Sequence, residues 1–214
     1  MPDLMTPQAA VVVGGSVVAF AGGLPASHRE DIFMSTAYAQ QATRMAIEDG
    51  LVADWFEYYC KVLKFIGWDV PKPQTLTPLR NSLMASQATQ RISTIMGEEF
   101  SEPMRRALEA MERNTLALKL FESASIRGNS GFFQIIPCVM RGPNKVEMGI
   151  YHRQFKIKRK VSGFLFGEDE TLIHNSVEQI AAITFNTLYY GQFREKVKKS
   201  VLSGSLKYLS SLEI

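Results

Sequence analysis

At Gly131 the apolar pattern of this chain changes period, and that change constrains the fold more than any single motif. Between Ser27 and Ser123 apolar residues recur three and four apart, as in helices with one buried stripe. From Gly131 the run GFFQIIPCVM is rich in aromatic and β-branched residues, which favour strand. Gly142-Pro143-Asn144 is turn chemistry, Phe155-Lys156-Ile157-Lys158 alternates, and Gly163 to Phe166 is another short apolar run. These features predict three or four antiparallel strands joined by tight turns. Helical spacing returns after Asn186, with Phe185, Tyr189, Phe193, Val197 and Val201 four apart. The predicted class is α+β: helices from the N-terminal half and the C-terminus, packed on a small antiparallel sheet from residues 130–166.

Helices are predicted over 27–49, 52–66, 83–98, 102–113 and 186–200, with a shorter one from Leu116 to Ser123. Ser27 and Glu30 have the spacing of a capping box, and Gly50 suits the helix end. In the second helix Trp55, Phe56, Tyr59, Val62, Leu63 and Ile66 form a broad core-facing stripe, ended by Gly67. Pro71 and Pro73 forbid further helix there. Ser101 reads as the N-cap of the fourth helix.

With 214 residues, 46% of them hydrophobic, the chain can bury one core without disulfides or a structural metal. The reading is one α+β domain over 27–214, preceded by an apolar, flexible segment over 1–26. Residues 9–25, AAVVVGGSVVAFAGGLP, carry no charge. They make a poor signal peptide, because Asp3 and no Lys or Arg precedes them, and they are too short and glycine-rich for a membrane span. A flexible lead-in or edge strand is the plain reading, and a membrane-inserting arm the sharper one.

Two cysteines, Cys60 and Cys138, make no disulfide framework and fit a reducing, cytoplasmic compartment. Together with three scattered histidines they show no metal-ligand spacing. No phosphate loop, dinucleotide fingerprint or nucleophile elbow is present. Cys60 reads as core. Cys138, inside the apolar strand and after Pro137, has three readings: a small buried hydrophobe, a nucleophile served by His152 or His174 as base, or a thiol carrying a fatty acyl thioester. His28, among charged neighbours, reads as solvent-facing.

Arg153, Lys156, Lys158, Arg159 and Lys160 form a basic cluster. On a strand Lys156, Lys158 and Lys160 share a face opposite Phe155 and Ile157. That face is either a solvated guard against edge pairing or a surface for anionic lipid headgroups. The net charge of +3 and the lack of a nucleic-acid motif rank nucleic acid third.

The run DWFEYYCKVLKFIGWDV at residues 54–70, the later GFFQIIPC, and Phe185-Asn186 with Tyr189, Arg194 and Val197 resemble the Evf-type bacterial virulence factors. The resemblance covers most of residues 27–202. It implies an α/β fold and a cysteine bearing a palmitoyl thioester, with Cys138 in the matching C-terminal third. The protein would then carry an acyl chain as its one covalent group, and associate peripherally with membranes or be delivered to a host. Its partners would be the acyl chain and an anionic membrane surface. Such a chain needs an apolar cavity beside Cys138, lined by residues such as Phe132, Ile136 and Phe164. One chain holds a protein to a bilayer only marginally, so Arg153 to Lys160 would be the second signal. The rivals are a cysteine-dependent acyltransferase or thioesterase and an interaction domain with an inert Cys138.

Overall fold

The computed structural model describes residues 9–77, 83–157, 163–167, 173–203 and 209–213. Among these residues the chain forms six helices on the two faces of one mixed sheet, an α+β architecture. The helices are α1 (Ala26–Glu48), α2 (Trp55–Phe65), α3 (Met84–Met96), α4 (Glu98–Arg113), α5 (Thr115–Ser125) and α6 (Thr187–Ser203). The strands are β1 (Ala9–Val13), β2 (Ser16–Phe20), β3 (Trp68–Asp69), β4 (Gln74–Leu76), β5 (Ile126–Arg127), β6 (Ser130–Gly142), β7 (Lys145–Ile157), β8 (Ile173–Asn186) and β9 (Leu209–Glu213). Their order is β3-β8-β7-β6-β2-β1-β9, with β4 on β8 and β5 on β6.

The apolar N-terminal segment is not a flexible lead-in over its described part. β1 and β2 make an antiparallel hairpin, and β2 runs parallel to β6 in the middle of the sheet. Val12, Val17, Val18 and Ala19 are fully buried. Helices cover both sheet faces, so such a strand is apolar on both sides and reads as a continuous run rather than an alternation. Gly14, at φ +55°, takes the first position of the two-residue turn, where a positive φ is required.

The sheet also extends past residue 166. β8 pairs with β7 along nearly its whole length, and β6 with β7. The run at Gly163 to Phe166 is a turn rather than a strand, with Phe164 and Leu165 buried. Phe185 lies in β8, one residue before its end, and meets Tyr190 of α6 from the sheet instead of belonging to that helix. Pro25 precedes α1, and no side chain caps it, so Ser27 lies inside the helix. α4 starts at Glu98, after Gly97, and Ser101 lies within it.

Two cores result. α1, α2 and α6 cover one face over Val18, Ile136, Cys138, Met148, Ile150 and Ile183. α3, α4 and α5 cover the other over Phe133, Ile135, Tyr151, Phe155 and Ile180. The stripe Trp55, Tyr59, Leu63 and Ile66 is buried in the first core, as its spacing predicts.

Candidate functional site

The β-pleat sends Phe132, Gln134, Ile136 and Cys138 of β6 towards the α1–α2–α6 layer. His152 of β7 lies directly opposite Gln134. Over them α1 lays an inward face of Ile32, Ser35, Thr36, Ala39, Gln40, Thr43 and Ala46, half of it polar. Gln40 donates to the Ser16 hydroxyl, which donates to Gln134 Oε1 at 2.8 Å. Gln134 Nε2 and both ring nitrogens of His152 have no hydrogen-bond partner among the described residues. The Tyr59 and Tyr190 phenols approach Thr36 and Ser35, yet neither pair has hydrogen-bond geometry. A polar seam, partly unsatisfied, therefore runs beneath this helical layer.

His152 is fully buried among rings. Phe56 stacks on it at 4.6 Å and 2°, and Trp55 at 5.5 Å and 3°, with Phe132 at 6.3 Å. Burial alone pulls its pKa down to about 3, so the imidazole is neutral at physiological pH.

Cys138 is fully buried on the same face. Its Sγ lies 3.7 Å from the Ile136 carbonyl oxygen, a weak contact. Burial pushes the thiol well above its ordinary pKa. Cys138 pairs with Met148 while Gln134 pairs with His152, four residues along, which separates thiol and imidazole by about 13 Å. His174 pairs with Lys156, about 26 Å from Met148 along β7. The fold thus brings neither expected base to Cys138, and the thiol lacks the electropositive setting a nucleophile needs.

A cavity of about 280 Å³ opens beside the seam, lined by Trp55, Phe132, Ile47, Arg44, Arg127 and Gln154 among others. A second, of about 580 Å³, lies along α2 and includes Cys60, Lys61, Lys64 and Pro71. Neither reaches Cys138. Phe132 and Ile136 share its face, but Phe164 lies in the opposite core and cannot line a pocket there.

The basic cluster divides. Arg153 is not at the surface: it is 5% exposed, because β7 turns it under α3. There it donates to Ser176 Oγ at 2.7 Å and to Gln87, and it lies 3.8 Å from the buried Glu178. Arg91 of α3 reaches Glu178 from the other side at 3.4 Å. Lys156 is exposed and donates to Ser130 Oγ at 2.6 Å. Lys158, Arg159 and Lys160 lie outside the described residues. Sequence reasoning missed Ser16, Gln40, Gln134 and Glu178. The available signal for the seam was the polar set Ser35, Thr36, Gln40 and Thr43 on the buried side of an otherwise regular helix.

No group of three or more metal-ligating side chains assembles among the described residues. No helix among them is long and apolar enough to cross a membrane. Labelling should report the sealed state of Cys138. Iodoacetamide at neutral pH should leave it unmodified in the folded protein and modify it in denaturant, read by peptide mass. Rapid native labelling would show a thiol in contact with solvent.

No family model and no curated protein matches the chain. Two solved structures are distantly similar. A delta-endotoxin has a TM-score of 0.48 at 10% identity, covering 87% of this chain and 86% of that one. The Evf virulence factor has a TM-score of 0.37 at 10% identity, covering 90% and 84%. The chain is thus distantly similar to a toxin and to a virulence factor.

Proposed function

We propose that this protein is a membrane-associating protein of the toxin or virulence type, whose α1–α2–α6 layer parts from the sheet at a bilayer. The observation that carries this reading is the contrast between the two helical layers. On the far face α3 is tied to the sheet by the buried Arg91–Glu178–Arg153 group. On the near face α1 reaches the sheet only through the neutral Gln40–Ser16–Gln134 chain and an exposed Glu48–Arg127 pair, and the other ion pairs run from helix to helix: Arg194 of α6 grips Asp31 of α1 with two bonds of 2.7 Å, and Lys198 meets Glu30 at 2.9 Å. Between that layer and the sheet lie the orphaned Gln134 Nε2 and both His152 ring nitrogens. A buried polar group without a partner costs about 1–3 kcal/mol, so this interface holds less firmly than its area suggests.

Parting would expose Ile136, Cys138, Met148, Ile150, Ala181 and Ile183, an apolar face on three adjacent antiparallel strands. β6, β7 and β8 have 13, 13 and 14 residues. A strand of roughly 9–11 residues spans a hydrocarbon core, so these are long enough to enter one. An acyl thioester on Cys138 belongs to the same opened form, because the closed form encloses the thiol.

Two measurements test the reading. Flotation and dye release with phosphatidylserine-containing vesicles should show association that strengthens on acidification. Intact mass of protein from a bacterial host, before and after hydroxylamine, should show a labile fatty acyl adduct that Cys138→Ser removes. Absence of vesicle association at neutral and acidic pH would overturn the membrane reading. Absence of the adduct would remove the acyl part and leave an unmodified Cys138.

A further inference from the structure

Helices α2 and α6 carry an unpartnered aromatic patch where the end of one meets the start of the other. Phe65 is 66% exposed, Leu188 71% and Tyr189 57%, and Phe193 is half-buried beside them. Tyr189 and Phe193 meet edge to face at 5.9 Å. Gly67, at φ +97°, lies directly under both rings. A Cβ there would stand 2.9 Å from Tyr189 Cδ1 and 3.1 Å from Phe193 Cε2, so only glycine seats them this low. Lys196 holds its ammonium 5.8 Å from the Phe65 ring centroid, and Lys64 and Lys199 are exposed nearby in sequence.

Scattered apolar side chains are ordinary on a surface, but rings and a leucine grouped with lysines have a specific fit. Aromatic side chains settle at the boundary between headgroups and acyl chains, and lysines beside them are drawn to anionic headgroups. We propose that Phe65, Leu188, Tyr189 and Phe193, with Lys64 and Lys196, form the surface by which the closed protein docks on an anionic bilayer. The charge complementarity selects that occupant over an apolar protein groove. The inference rests on the membrane reading above and adds its place of contact. The patch belongs to the layer proposed to part, so docking would hold those helices at the headgroups while the sheet is uncovered. The contact therefore lies away from Lys156, which pairs with His174 at the far end of β8 from α6.

Flotation at neutral pH with phosphatidylcholine vesicles, with and without phosphatidylserine, tests it. The wild-type chain should bind the phosphatidylserine vesicles. The variant F65S/L188S/Y189S should bind them at least about tenfold more weakly. Lys196→Glu should weaken binding about fivefold, while Lys156→Glu leaves it unchanged. The exposed positions leave the core intact, which an unchanged thermal melt would establish for each variant. Full binding by the triple variant, with loss in Lys156→Glu, would overturn the patch while leaving the membrane reading intact. No binding by the wild-type chain to either vesicle at neutral pH would overturn the patch, and no binding at acidic pH as well would overturn both. A wild-type dimer in sedimentation that the triple variant abolishes, without vesicle binding, would assign the patch to a second copy of this chain and overturn the bilayer assignment.

Discussion

Trp55→Ala should lower the unfolding free energy by about 3–5 kcal/mol at neutral pH, the range for truncating a large buried ring. Trp55 is 8% exposed and opens α2, whose N-terminus Asp54 caps by accepting from Glu57 N–H at 2.8 Å. Its indole meets Phe132 at 4.5 Å, Tyr59 at 5.1 Å and His152 at 5.5 Å. Surrounding rings are too rigid to fill the space it leaves. The cost should have a second signature. Trp55 stands between His152 and the 280 Å³ cavity, so its loss admits water to the imidazole. The His152 pKa should then rise towards the ordinary value of about 6.5, visible in the ring proton shifts. Urea melts showing a loss below about 1 kcal/mol would mean that the stripe does not hold the layer.

The same tryptophan shows what the sequence could and could not reveal. The α2 stripe was legible because apolar residues three and four apart admit one burial geometry. The N-terminal hairpin was harder, since a strand covered on both faces has no alternation to detect. Its local signal was Gly14-Gly15 between two valine-rich runs, the spacing of a two-residue hairpin turn. β8 escaped for a different reason. Its polar residues His174, Asn175, Ser176, Glu178 and Gln179 break both helical and strand periods, and Glu178 is buried only because Arg91 and Arg153 converge on it. That convergence joins residues far apart in the chain and leaves no local trace. Arg153 illustrates the cost of reading charge as exposure: Lys156, three residues on, does reach solvent.

Cys138 was legible as a residue of interest and illegible as a site. Its apolar flanks favour a small buried hydrophobe and leave the acyl and nucleophile readings open beside it. Register bears on the nucleophile reading, because Cys138 pairs with Met148 and not with either histidine. His152 is the reverse case. Sequence offered it as a weak base for Cys138, whereas its neighbours make it a neutral ring clamped beneath a helical layer.

Acidification should weaken the closed form through His152. Its pKa is about 3 when folded and about 6.5 once the ring meets water, so the closed state binds fewer protons than the open one. The stabilisation is complete above about pH 6.5 and is lost as pH falls from there towards 3. Linkage gives a loss of about 2–3 kcal/mol between about pH 7 and pH 4.5. The residues around the ring are Trp55 and Phe56 from α2, Phe132 and Gln134 from β6, and Gln179, opposite it in β8. None is charged, so no neighbour stabilises the imidazolium. Glu122, whose carboxyl is raised by burial, acts in the opposite sense as pH falls. The paired carboxylates Glu48, Glu99 and Glu102 are held below their ordinary range, so their losses fall at lower pH. His152→Phe keeps a ring between Trp55 and Phe56 and removes both orphaned nitrogens. It should flatten the urea midpoint across this window and raise stability at acid pH relative to the native chain. Acid-strengthened vesicle association should weaken in the same variant, because the step that frees the sheet no longer gains a proton. A wild-type midpoint that does not move between pH 7 and about 4.5, or a His152→Phe midpoint that falls just as far, would place the acid-sensitive contact elsewhere.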